Sequence, residues 1–225
     1  MTITVVTIRP EPGSAATVSA GLALGLTIEP WPLFEIRPLA WDAPPVDQVD
    51  ALLIGSANAV RHAGPALAAF HKKPVHAVGE ATARAARAVG LTVETVGPGV
   101  LQPLVDTLQP PLRLLRLTGA EHVRVTPPSG ITIETRVGYD SAPLPLPSGA
   151  ATRLREGALV LLHSAVAARH LAAECDRLAI ARGTVRLAAL GSRIATAAGE
   201  GWGEVRSAVE PSEAALLSLA REMCH

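Results

Sequence analysis

Short apolar runs alternate with Ala-rich stretches of helical periodicity along most of the chain. The runs are continuous and mostly rich in β-branched residues, which is typical of strands buried on both faces of a sheet. They are Thr4–Ile8, Ala51–Gly55, Val75–Val78, Val93–Val96, Leu112–Leu117, Ala158–Leu162, Val185–Leu190 and Glu204–Val209. This alternation of strands and helices predicts an α/β fold, with parallel sheets that carry helices on both faces.

The chain contains an internal repeat. Three segments of the first half recur in the same order in the second half. In each half, the first of the three segments follows an apolar strand. The matched pairs are residues 56–62 and 164–170, 77–83 and 189–195, and, more weakly, 98–104 and 211–217. Because three ordered matches are much less probable than one in an Ala-rich chain, they predict two copies of one α/β unit.

Two extended segments interrupt the pattern. Pro30–Pro38 is rich in proline, and Ile131–Pro147 is extended and ends in prolines. Residues before proline avoid the helical region, so neither segment is expected to be a helix. We interpret them as a pair of connecting strands between the two copies.

Composition narrows the classes of protein. Aromatic residues make up 3% of the chain, so the core must be built from Ala, Val and Leu. The formal net charge is +0, which argues against a nucleic-acid or membrane-surface protein. The two cysteines, Cys175 and Cys224, suggest neither a metal site nor a disulfide framework, and a cytoplasmic setting is expected. We read no signal peptide at the start and no membrane-spanning run.

Small and hydroxyl-bearing residues follow the predicted strands. Ligands of open parallel sheets bind beyond the carboxyl ends of the strands, and a helix start offers free N–H groups to a carboxylate. The residues at these ends are Arg9, Ser56, Gly79, Thr118, Ser164, Gly191 and Ser212. Each Ser or Thr could also serve only as a helix N-cap. As a set in two copies, they favour a site for an anionic ligand. The glycines form neither a dinucleotide fingerprint nor a P-loop.

Two further residues carry possible chemistry. Tyr139, the only tyrosine, lies in the second connecting segment, where its phenol could donate a proton or could be linker packing. His163 ends a predicted strand beside Ser164, and it could face a ligand or be a structural histidine. Neither Ser56 nor Ser164 has the sequence context of a hydrolase nucleophile.

These motifs together resemble the uroporphyrinogen-III synthase family. The family opens with a strand ending in Thr-Arg-Pro, and this chain has Thr7-Ile-Arg-Pro10. The family's Thr-Ser-Ala-Asn-Ala-Val is similar to Gly55–Val60, and its Ala-Val-Gly-Glu-Ala-Thr-Ala is identical to Ala77–Ala83. A family tyrosine in a Val-Tyr context is similar to Val137-Gly-Tyr139. The resemblance covers nearly the whole chain.

The resemblance implies two flavodoxin-like parallel-sheet lobes joined by a two-stranded linker. One lobe is expected to be discontinuous, with residues 1–35 and 142–225, and the other to span residues 40–138. The linkers are then expected near residues 30–40 and 131–147. The implied activity is a lyase-type cyclisation of hydroxymethylbilane, with inversion of the terminal pyrrole ring, in tetrapyrrole and haem biosynthesis.

The resemblance also implies the partners and the site. No metal or organic cofactor is expected, and the partner is a polycarboxylate tetrapyrrole rather than nucleic acid or membrane. The chain is expected to act as a monomer. Tyr139 is the predicted catalytic residue. The predicted substrate-binding residues are Arg9, Ser56, Ala57, Asn58, Gly79, Glu80, Thr82, Thr118, Ser164, Gly191 and Ser192.

Other classes of function stay open at this point. A two-lobed binding protein without a reaction has the same paired α/β lobes, and a non-catalytic regulatory relative would have the same motifs. The scarcity of aromatic residues disfavours a flavodoxin-like electron carrier, which stacks aromatic side chains on its flavin.

Overall fold

The structure, a computed structural model, describes residues 3–224 and divides into two compact units. The first unit holds the described residues up to Glu35 and from Ala142 onward, and the second unit holds Ile36–Ser141. No helix within residues 3–224 is long and apolar enough to cross a membrane.

Eleven strands and eight α-helices are present in the described residues. The strands are β1 (Thr4–Thr7), β2 (Ile28–Pro30), β3 (Phe34–Pro38), β4 (Ala51–Ile54), β5 (Val75–Ala77), β6 (Val93–Val96), β7 (Leu112–Gly119), β8 (Ile131–Pro143), β9 (Ala158–Leu162), β10 (Arg186–Ala189) and β11 (Glu204–Ser207). The helices are α1 (Gly13–Ala23), α2 (Ala57–Arg61), α3 (Glu80–Ala88), α4 (Leu101–Asp106), α5 (Ser148–Glu156), α6 (Ala165–Arg177), α7 (Ser192–Ala197) and α8 (Glu213–Met223).

The sheet of the first unit has the strand order β2-β1-β9-β10-β11, and every neighbouring pair is parallel. Numbered along the chain within the unit, this order is 2-1-3-4-5, which is the doubly wound order of flavodoxin-like folds. The predicted α/β fold class is therefore confirmed.

The sheet of the second unit has the order β3-β8-β7-β4-β5-β6, and its strands from β4 to β8 pair in parallel. If β7 and β8 are counted first, these five strands also have the order 2-1-3-4-5. The second unit is thus a circular permutation of the first. The repeated segments begin at or just after the ends of β4, β5 and β6 in one unit and of β9, β10 and β11 in the other, and they run into the helices that follow.

The cores explain why the strands are so apolar. All five residues of β9 are buried, and so are all four of β4. Successive side chains alternate between two clusters, with Val160 and Leu162 on one face of the sheet and Leu159 and Leu161 on the other. A strand covered on both faces has no polar side, which is why it reads as an unbroken apolar run.

Three details differ from the sequence-based expectation. The sequence predicts a connecting strand at Ile131–Pro147, but its residues from Ile131 to Tyr139 pair along the full length of β7 as part of the sheet. β2, at Ile28–Pro30, is not predicted, because three residues are too few to show a period. The strand predicted at Leu112–Leu117 continues to Gly119. In the described chain no helix lies between β7 and β8, in agreement with Pro127 and Pro128, since proline breaks helical hydrogen bonding.

Candidate functional site

The strand order marks one place in each unit for a ligand. In doubly wound sheets, ligands bind outside the carboxyl ends of the strands at the point where the strand order reverses. That switch point lies between β1 and β9 in the first unit and between β7 and β4 in the second. Arg9 and Ser164 follow β1 and β9, while Thr118 is the last residue but one of β7 and Ser56 follows β4.

In the first unit, the predicted site residues lie at the starts of two helices. Ser164 caps α6, where its Oγ accepts the N–H of Ala167 at 3.1 Å. Gly191 precedes α7, and a Cβ placed on it would meet no atom within 4 Å. Ser192 is the first residue of α7. This edge therefore presents hydroxyl groups and unobstructed backbone.

The second unit repeats the arrangement. Ser56 caps α2, where its Oγ accepts the N–H of Asn58 at 3.2 Å. Ala57 and Asn58 form the first turn of that helix, and Gly79 precedes α3. Two residues of α3 are less suited to a ligand. Glu80 forms an exposed ion pair with Arg87 at 3.0 Å, and Thr82 is 4% exposed.

Tyr139 lies directly against the end of β7. It is the register partner of Gly119, and a Cβ on Gly119 would lie 2.7 Å from the ring atoms Cε2 and Cζ and 3.0 Å from the hydroxyl oxygen. The ring is half-buried, and its centroid is 6.4 Å from that of the His62 ring. The glycine thus makes room for the phenol at the switch point of the second unit.

The structure adds a charged cluster that the sequence reading missed. Arg9 Nη1 donates to Thr17 Oγ1 at 3.1 Å and to Glu213 Oε2 at 3.0 Å. Thr17 Oγ1 donates to Glu213 Oε1 at 2.6 Å, and His163 Nε2 lies 3.1 Å from Glu213 Oε2. The cluster joins the ends of β1 and β9 to α1 and α8. Arg9, predicted to bind substrate, already has a carboxylate partner in the structure.

The cluster keeps Glu213 ionised. Burial acts to raise the pKa of Glu213, but hydrogen bonds from His163 and Thr17, with the positive charges of His163 and Arg9, hold that pKa at about 2. Because an ionised carboxylate only accepts hydrogen bonds, His163 Nε2 must carry the proton. The buried His163 Nδ1 has no partner among the described residues.

A sequence signal for Glu213 did exist. It follows Ser212, whose Oγ accepts the N–H of Ala215 at 3.2 Å, so the pair forms a typical acidic helix start. The match of residues 98–104 with 211–217 aligns Glu213 with an apolar residue, Val100. The sequence alone therefore shows that only the second copy of the repeat has a charged residue at this position.

Comparisons with known proteins agree with the family resemblance of the sequence. The model of the family described as uroporphyrinogen-III synthase HemD matches residues 16–218. The chain belongs to the uroporphyrinogen-III synthase family. This membership confirms the predicted function and enzyme class, a lyase-type synthase of tetrapyrrole biosynthesis.

Solved structures of the family share the fold. The uroporphyrinogen-III synthetase of Helicobacter pylori is 18% identical with a TM-score of 0.67, over 98% of this chain and 99% of that one. A mutant uroporphyrinogen-III synthase of Thermus thermophilus is 20% identical with a TM-score of 0.52, over 98% of each chain. No curated protein matches the chain.

The contact between Gly119 and Tyr139 gives a testable prediction for this family member. We expect Gly119→Ala to lower turnover several-fold, because the new methyl group must push the hydroxyl-bearing edge of the Tyr139 ring aside. Steady-state kinetics with hydroxymethylbilane would measure the change. Gly55→Ala is the matched control at the same switch point, since its Cβ would lie 3.8 Å from Leu101 in ordinary contact. Equal kinetics of the two variants would show that the ring position is unimportant.

Proposed function

We propose that the chain carries out the family reaction mainly by positioning its substrate. The linear tetrapyrrole can close unaided without inversion, so the enzyme must hold it in a geometry that favours attack at the substituted carbon of the terminal ring. The observation that carries this proposal is the pair of similar switch points, one in each unit, lined by hydroxyl groups and helix starts.

Hydroxyl groups at these switch points suit a polycarboxylate substrate. Ser56 and Ser164 each accept a backbone N–H in the capping role, so the O–H proton of each is available for a ligand carboxylate. Ser192 and Thr82 are the other two hydroxyl donors that we propose, although Thr82 is buried. A neutral hydrogen bond contributes about 0.5–1.5 kcal/mol net, so affinity is the sum of several weak contacts.

Tyr139 is proposed as the acid or hydrogen-bond donor at the hydroxyl group that leaves the substrate. A phenol has a pKa of about 10, so it is protonated at neutral pH and can donate without a special environment. Its place opposite Gly119 at the end of β7 supports this role, because ligands of such sheets bind at that edge.

Four further expectations belong to the same proposal. We propose that the units act as domains with the predicted boundaries, and that the chain is a cytoplasmic monomer that binds no nucleic acid. The formal net charge of +0 supports the last point, because nucleic-acid binding draws on a basic excess.

The decisive experiment is product analysis. The purified chain is mixed with hydroxymethylbilane, and the isomers are separated after oxidation, with buffer alone as the control for spontaneous closure. We expect the inverted isomer to predominate only in the presence of the chain. If the isomer ratio equals that of the buffer control while the chain still binds the product, the chain is a non-catalytic binding relative.

A further inference from the structure

Arg116 is a buried cation without a counter-charge in the described chain. It lies in the middle of β7, is 5% exposed, and pairs in register with Leu53 and Thr135. Its Nη2 donates to the carbonyl of Val123 at 2.8 Å, while its Nε is buried without a partner. Among residues 3–224, no carboxylate forms an ion pair with it. Burial lowers the pKa of the Arg116 guanidinium. An arginine side chain nevertheless stays charged at neutral pH.

The surroundings of Arg116 are apolar. Leu114, two residues earlier on the same face of β7, belongs to a buried cluster with Leu53, Leu101 and Leu104. Thr118, two residues later on that face, is the predicted ligand residue at the carboxyl end of the strand. The guanidinium therefore lies between an apolar core and the switch point of the second unit.

The first unit also has an arginine near the corresponding strand, at a different register position. β1 and β7 hold equivalent places in the two sheets, and Arg9 at the end of β1 is paired with Glu213 at the start of α8. The helix equivalent to α8 is α4, since each follows the last strand of its sheet. α4 begins with Leu101, which is buried among apolar side chains. The register with the neighbouring strand places Thr7, not Arg9, at the position of Arg116. The second unit thus has an arginine inside the strand and no acidic residue in the first turn of the equivalent helix.

The segment that follows β7 also differs from the segment that follows β1. In the first unit α1 follows β1, whereas in the described chain a segment without helix or strand, residues 120–130, follows β7. Glu121, Val123 and Arg124 of this segment are exposed. A neutral backbone carbonyl, that of Val123, is the one hydrogen-bond acceptor that the described residues give to Arg116. A ligand carboxylate would be the stronger acceptor.

We propose that Arg116 is an anion-binding residue of the second unit and takes one carboxylate of the ligand in place of the Val123 carbonyl. A buried cation without a charged partner destabilises a folded protein, so its presence here is explained by a ligand that supplies the missing charge. As a contact to the tetrapyrrole this inference rests on the proposed function, but the binding of a carboxylate does not.

Nuclear magnetic resonance of the arginine Nε–H groups tests the site directly. Propionate is the probe, because a simple monocarboxylate reports on Arg116 whether or not the chain is a synthase. The Arg116 resonance is assigned through its own side-chain carbons in the wild-type chain. We expect a saturable shift of this resonance as propionate is added. A resonance that does not move in a saturable way overturns the proposal.

A matched pair of variants tests the contribution to binding. Arg116→Met keeps an apolar stem and removes the charge, and Arg113→Met makes the same change on the same strand, at an exposed ion pair with Asp50. We expect Arg116→Met to bind the cyclised product about tenfold more weakly, as for loss of a hydrogen bond to a charged group, without loss of stability. Arg113→Met should bind as the wild type does.

The outcomes separate the two proposals. If Arg116→Met loses stability but keeps wild-type affinity for the product, Arg116 is a structural residue and the inference is wrong. If propionate shifts the Arg116 resonance but no inverted isomer forms, the proposed function fails and the anion site stands. If the inverted isomer forms and the resonance does not respond, the anion site is refuted and the proposed function stands. Should Arg116→Met not fold, the wild-type titration still decides.

Discussion

Replacing Tyr139 with phenylalanine is expected to lower turnover by about ten- to a hundredfold while the product remains the inverted isomer. A well-placed general acid typically contributes about 10²–10⁴-fold, and a smaller effect is expected here because the substrate closes readily by itself. The substitution keeps the ring that packs against Gly119 and removes only the hydroxyl oxygen. Substrate binding should therefore be largely retained. Single-turnover kinetics with hydroxymethylbilane would separate the chemical step from binding.

Two other outcomes would change the role of Tyr139. Wild-type turnover in the phenylalanine variant would leave the ring as packing against the second unit's core. Complete loss of binding would make it a binding residue instead of a donor. Unfolding in urea serves as the control, because the half-buried ring should keep its contacts and the variant its stability.

Glu213→Gln is expected to destabilise the first unit by about 1–2 kcal/mol at neutral pH. The neutral amide weakens the charge-assisted hydrogen bonds from Arg9, Thr17 and His163. The estimate is moderate because the Glu213 side chain is 34% exposed, and solvent screens its interactions. Urea unfolding would measure the loss of free energy.

The effect of Glu213→Gln should depend on pH. The pKa of Glu213 is about 2 in the folded chain and 4.5 in its ordinary state, so the folded form favours the ionised group. The stability that this preference supplies is fully present above about pH 4.5 and is lost as the pH falls through about 2. We therefore expect the difference between wild type and variant to shrink between about pH 5 and 2.

A control variant lies on the same helix. Glu222→Gln removes an exposed ion pair with Arg206 at 3.1 Å, and such surface pairs contribute about 0–1 kcal/mol. It should show a smaller loss that varies less with pH. Equal losses in the two variants at pH 7 would contradict a special role for the cluster around Glu213.

Local sequence patterns were enough to predict the strands and the helix caps. The strands at Val93–Val96 and Ala158–Leu162 were predicted with the bounds that the structure has. Ser56 and Ser164 were identified as helix starts, since a capping hydroxyl acts on an N–H only two or three residues away. Such features depend on neighbours in sequence, and so the sequence displays them.

The sequence by itself determined the α/β class and the two copies, because burial on both faces of a sheet and duplication leave marks in every repeat. Only the tertiary structure decided which charges meet. Arg9 and Glu213 are 204 residues apart and come together because parallel strands from both ends of the chain share one sheet. Nothing in the sequence distinguishes Arg116 from other strand residues. The fold buries it, and no carboxylate among the described residues pairs with it. Partners across a sheet depend on strand order, and no local pattern encodes that order.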